Sequence, residues 1–234
     1  MTGPLGDDLD ARFDFEVVPP PLGAALDAEL ATLKPVATRR PRRQVAIFLG
    51  VAVVVFAAAI SVLGTRADLH QLPAGWMPVV AILWIAGMAA AVWVSLVPRS
   101  GSVMPRWRLA ALLTLATSGT YVVLGLVLHP SGPSSLHYGW ERFVRGHGCL
   151  ELGLATALVP VIVGRWFLRG VAPVRTRWVA AAVGAAGGCV GGLLLHFYCK
   201  IADGPHIGLI HGGVVGAAAI IAALVVPRTT WSRS

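Results

Sequence analysis

An all-α, polytopic membrane protein with a six-helix transmembrane bundle is the fold class predicted for this 234-residue chain. Three observations predict it. Apolar residues make up 56% of the sequence and charged residues 13%, about half of the roughly 25% usual for soluble domains. Mean hydropathy is +0.73. After residue 43 the apolar residues gather into six runs, each close to the ~20 residues a helix needs to cross ~30 Å of hydrocarbon. Such a composition excludes a soluble enzyme domain, a disordered regulator and a disulfide-dense secreted scaffold. Only helices and closed barrels satisfy their backbone hydrogen bonds in lipid, and these runs lack the two-residue alternation of barrel strands.

Residues 1–43 form an N-terminal segment unlike the rest, with seven acidic residues set against Arg12, Lys34, Arg39, Arg40, Arg42 and Arg43. The first apolar run begins only after it, so no cleavable signal peptide is expected. Within the segment, residues 22–34 read as a short amphipathic helix. Leu22, Leu26, Leu30 and Leu33 fall on one stripe, Asp27 and Glu29 occupy the polar side, and Pro35 closes the element. Forty-three residues are too few for a conventional core. A leucine edge with no domain to bury it therefore looks for a partner groove. The competing possibility is a membrane-surface helix, which its acidic residues suit poorly.

The spans are expected at about 44–64, 77–97, 108–128, 149–167, 178–198 and 207–226, giving a transmembrane domain over 44–227 and a tail over 228–234. Pro160 lies inside the fourth and is expected to kink it. The fifth carries Gly184, Gly187, Gly188, Gly191 and Gly192, and this spacing predicts a central packing helix that neighbouring backbones approach closely. The net charge of +8 is no nucleic-acid signal, because the arginines sit in short loops beside apolar runs. Fifteen Lys and Arg residues fall on the side of the termini and four on the other, so both termini are expected in the cytoplasm. Membrane lipid is then the first expected partner of this multi-pass protein.

This topology puts all seven histidines on the outer side. His70, His129, His137 and His147 lie in or beside outer loops, His196 ends the fifth span, and His206 and His211 open the sixth. Cys149 and Cys199 occupy the same level, and His196 and Cys199, three apart, share a helical face. Three outcomes are open for this cluster. Cys149 and Cys199 could form an external disulfide. Cys149, His196, Cys199, His206 and His211 could instead bind zinc or another soft metal ion, since thiolate and imidazole suit such ions. The third outcome is that these side chains only pack or meet water. Cys189, ten residues before Cys199, reads as a buried small apolar residue. Glu151, about a turn inside the fourth span, is a functional candidate by its depth unless it pairs with Arg142 or Arg145 at the interface. No nucleophile elbow, phosphate loop or dinucleotide fingerprint is present, and no enzymatic activity is expected.

The layout resembles the NrsF-type membrane anti-sigma factors of proteobacteria. The resemblance is strongest where Cys149, Leu150, Gly153, Pro160, Arg169 and Gly170 precede a glycine-rich span leading into Leu195, His196, Cys199, Ala202, Asp203, His206 and His211. Leu26, Leu30 and Leu33 to Pro35, followed by Arg39, Arg40 and Pro41, also look like the family's entry into its first span. The resemblance implies a cytoplasmic segment that holds an extracytoplasmic-function sigma factor at the membrane. It also implies that Cys149 and Cys199 receive an envelope stress signal that releases the sigma factor. The protein would act on transcription with no direct contact to nucleic acid. Two other classes compete: a small transporter, which needs polar groups near the bilayer midplane, and a membrane thiol or metal-dependent enzyme built on the same cysteines and histidines.

Overall fold

The computed structural model describes residues 40–67, 69, 72–98, 104–128, 140–169, 175–201 and 203–230, with single positions 23, 28 and 31. Met1–Arg39 and Arg40–Ser234 are separate compact units. Leu22, Leu26, Leu30 and Leu33 lie outside the described residues.

The second unit is all helix among the described residues. In order it contains α1 (Pro41–Leu63), α2 (Trp76–Leu96), α3 (Arg106–Leu126), α4 (Trp140–Leu168), α5 (Thr176–Tyr198), a short α6 (Gly204–His206), a π-helical turn (Ile207–His211) and α7 (Gly212–Thr230). Among the described residues, six segments are long and apolar enough to cross a membrane: α1, α2, α3, Gly146–Leu168 of α4, α5 and the composite Gly204–Val226. The predicted number of spans and the all-α class hold.

Local chemistry sets the ends. Pro41 occupies the first turn of α1, where its missing N–H costs nothing. Gly64 stops that helix at φ 77°, a left-handed conformation that favours glycine, while its N–H donates to Ile60 O at 2.8 Å. Helix α4 begins nine residues before the predicted span at 149. The stretch 140–148 is too polar to read as part of an apolar run, but a helix leaving the bilayer can continue in water. Its 29 residues rise about 43 Å, well beyond ~30 Å of hydrocarbon. The helix also runs on through Pro160.

Helix α5 is the axis of the bundle, with 94% of its apolar length buried. Its glycines face three different neighbours. A Cβ at Gly184 or Gly188 would meet the α7 backbone, at Ala218 O and Ala219 Cα in one case and at Val215 Cα (2.6 Å) in the other. A Cβ at Gly191 would fall on Gly153 O of α4, and one at Gly192 on the six-membered ring of Trp84 in α2. Lipid tails are as apolar as side chains, so close backbone approach and dispersion, rather than burial from water, hold such helices together.

Trp84 is 2% exposed and lies flat on Tyr121 of α3, with ring centroids 3.3 Å apart and planes 5° from parallel. Gly192 thus leaves room for a stacked pair joining three helices. Gly192→Ala is expected to cost about 1–3 kcal/mol by overpacking. Trp84→Phe, which removes the ring atoms nearest Gly192, is expected to recover more than half of that loss in the double variant. Unfolding midpoints of the four proteins in detergent give the coupling, and simple additivity would contradict the direct contact.

The two ends of the bundle differ in character. At one end, Arg106 Nε donates to Val94 O at 2.8 Å, and the Arg175 guanidinium lies 4.2 Å over the Trp107 ring. These contacts tie the start of α3 to the end of α2 and the start of α5. At the other end, Arg66 N–H donates to Phe197 O at 2.8 Å, linking the exit of α1 to the last turn of α5. The cysteines and histidines that open α4 and the sixth span gather at this second end.

Candidate functional site

Three helix ends build the site. Cys149 sits at the membrane entry of α4 on the face that continues through Gly153 and Ala157. This face lies against α5, where a Cβ at Gly191 would meet Gly153 O and one at Gly187 would approach Ala157 O at 2.9 Å. Cys199 is the residue at which α5 ends: its N–H still donates to Leu195 O at 2.8 Å while its own backbone turns extended. Pro205 then sits in the first turn of α6, and Ile207 N–H donates to Asp203 O at 3.0 Å. The chain therefore reverses within a few residues and returns His206 to Cys199.

The distances are short. Cys199 Sγ lies 3.5 Å from Cys149 Sγ and 3.4 Å from His206 Nε2. The donor atoms of Cys149, Cys199 and His206 all fall within 4.8 Å of one another. Cys149 is half-buried, whereas Cys199 and His206 are buried. The sulfurs are non-bonded, about 1.5 Å farther apart than in a disulfide.

The remaining sequence candidates divide. His211 is 1% exposed and meets His206 edge-to-face with ring centroids 5.2 Å apart. Neither of its ring nitrogens makes a well-formed hydrogen bond among the described residues, but the Cys199 thiol interacts with the ring as a side-chain neighbour, with His206 and His196 also close by. His196 is also buried, but its Nε2 lies 3.2 Å from Met77 O of α2 and its ring packs edge-on against Phe197. The structure thus does not bring His196 into the three-donor group. Cys189 is 1% exposed and lies in the main hydrophobic core. Glu151 and His147 are exposed, and the side chains of Arg142 and Arg145, the partners in the alternative reading of Glu151, lie outside the described residues. His70, His129 and His137 also lie outside them.

Two contributors to the site are not obvious in the sequence. One is the π-helical turn, in which Gly212 N–H donates to Ile207 O, a five-residue step. The other is Gly125 of α3, where a Cβ would fall on the Gly208 backbone and approach Gly204 O at 2.8 Å. Gly125 thereby lets α3 press against the turn carrying both histidines. The only trace of either feature is the clustering of Gly204, Gly208, Gly212 and Gly213 around the two histidines.

Chemically, two thiols and one imidazole at these distances can be oxidised to a disulfide or can ligate a soft or borderline metal ion. A family model described as "Negative regulator of sigma F" matches residues 30–231. No curated protein and no solved structure matches the chain. The match covers all six spans together with the cysteine and histidine end, and on that evidence the chain belongs to the NrsF family, negative regulators of a sigma factor.

Proposed function

We propose that this protein is a membrane-bound anti-sigma factor of the bacterial inner membrane. Its N-terminal segment, residues 1–43, holds an extracytoplasmic-function sigma factor on the cytoplasmic side through the stripe of Leu22, Leu26, Leu30 and Leu33. An envelope signal received at Cys149 and Cys199 releases that partner. The observation that carries this reading is the family match over residues 30–231. The arginine asymmetry supports the sidedness, leaving the thiols facing outward. A signal can release the partner only by favouring a bundle state that binds it less well.

The protein acts by holding and releasing, not by transport or catalysis. A transporter path needs polar groups free to meet a solute at mid-membrane. Here Ser61, Ser95, Thr114, Thr120 and Thr156 each donate to the carbonyl four residues back in their own helix, at 2.6–2.8 Å, and the one buried hydroxyl left without a partner among the described residues is that of Ser118.

The test is capture by the full-length protein in detergent. Cytosol from the source bacterium is expected to yield a sigma factor, and the double variant Leu26→Asp/Leu30→Asp is expected to retain at least about tenfold less, a loss of ~1.4 kcal/mol. If full-length protein recovers no sigma factor, or the leucine variant retains as much as the parent, the capture reading is wrong.

A further inference from the structure

We propose that Cys149, Cys199, His206 and His211 form a closed Cys2His2 site for a zinc-class divalent cation. The proposal rests on the reading that this end of the bundle is the regulatory one, and it assigns that end a ligand and a donor set.

With metal–sulfur bonds of ~2.3 Å and metal–nitrogen bonds of ~2.0–2.1 Å, tetrahedral ligands stand about 3.8 Å apart for a sulfur pair and about 3.6 Å for sulfur and nitrogen. The observed separations are 3.5 Å between the sulfurs and 3.4 Å from Cys199 Sγ to His206 Nε2. Two edges of a tetrahedron are already in place, and the three donor atoms all lie within 4.8 Å of one another.

His211 is buried beside this triad; neither ring nitrogen makes a well-formed hydrogen bond among the described residues, and the nearby Cys199 thiol is the side chain it interacts with. Rotation of that ring toward Cys199 supplies the missing donor. His196 is the rival, but its Nε2 faces the Met77 carbonyl.

In a continuous α-helix, residues five apart diverge by about 140° around the axis. His206 and His211 are five apart, and the intervening turn is wound as π-helix, whose five-residue step brings them toward one face. Single π turns inside α-helices are frequent at functional sites.

Charge balance agrees. A divalent cation entering the site displaces the two thiol protons to water, and two thiolates with two neutral imidazoles leave the complex uncharged, as a buried position in a bilayer requires. Four protein ligands leave no open position, so the site is of the structural or regulatory type rather than the catalytic one.

The experiment uses the purified full chain in detergent, reduced and stripped with chelator, with its thiols counted before titration with Co2+ and then Zn2+. One equivalent of Co2+ is expected, with tetrahedral ligand-field bands and thiolate charge transfer, all bleached by Zn2+. Losing an outer partner of a ligand costs about 10–100-fold in affinity, so His211→Ala is expected to weaken binding at least about 100-fold. His196→Ala should bind like the parent. His211→Cys, a folded-state control, should still bind and add thiolate intensity. Absence of charge transfer with reduced thiols overturns the proposal, and so does His211→Ala binding like the parent or His196→Ala losing the ion. No sigma factor enters these measurements, so their failure and that of partner capture are separate results.

Discussion

Gly188→Leu is expected to destroy the folded bundle. Gly188 faces α7 where an added Cβ would stand 2.6 Å from Val215 Cα and 3.0 Å from Val214 O. These are backbone atoms, which cannot rotate away as a side-chain end could. The leucine must therefore push α7 off α5 along the interface that also includes Gly184. Overpacking against side chains costs about 1–3 kcal/mol, and against a fixed backbone the cost should exceed about 3 kcal/mol. Gly216→Leu is the control, because a Cβ there meets nothing within 4 Å. Size-exclusion profiles and denaturant midpoints in detergent should separate the two, with Gly188→Leu aggregated or unfolded and Gly216→Leu like the parent. Equal behaviour would mean that the α5–α7 contact does not govern stability.

Cys199→Ser is expected to leave the sigma factor held whatever the envelope signal. Cys199 is the hub of the site, touching both Cys149 and His206, and a hydroxyl can neither form a disulfide nor ligate a soft ion as thiolate does. A coupling of 1–3 kcal/mol between signal and partner corresponds to about 5- to 150-fold induction, and in the variant that ratio should fall to about one. Cys189→Ser, altered in the core away from the three-donor group, should respond as the parent does. Reporter transcription with and without oxidant or metal exposure reads both. Normal induction in Cys199→Ser would remove the thiols from the signal path while leaving capture by the N-terminal segment intact.

The sequence reveals the fold more fully than the site. Six apolar runs become six membrane-length helices because lipid leaves the backbone almost no alternative. The glycines of the fifth run mark the central helix because only hydrogen fits where two backbones meet. The expected fourth span at 149–167 lies within the membrane-length stretch Gly146–Leu168, while the helical extension back to Trp140 stays invisible because hydropathy reports where lipid ends, not where a helix does. At the site, counting arginines is enough to put Cys149, Cys199, His196, His206 and His211 at one level. It cannot tell His196 from His211, since that depends on which imidazole meets the Met77 carbonyl. The π turn is hidden for a related reason: it is a change in winding, with no residue type that demands it.

The burial of α5 also has a consequence for biogenesis. This helix is enclosed on several sides, and the wall that seals Gly184 and Gly188 belongs to α7, which leaves the ribosome after it. For the interval between the two, a notched helix must wait with its groove filled by lipid tails or an insertase. Any nascent chain that stops before Gly212 is left unsealed, a natural mark for membrane quality control to recognise.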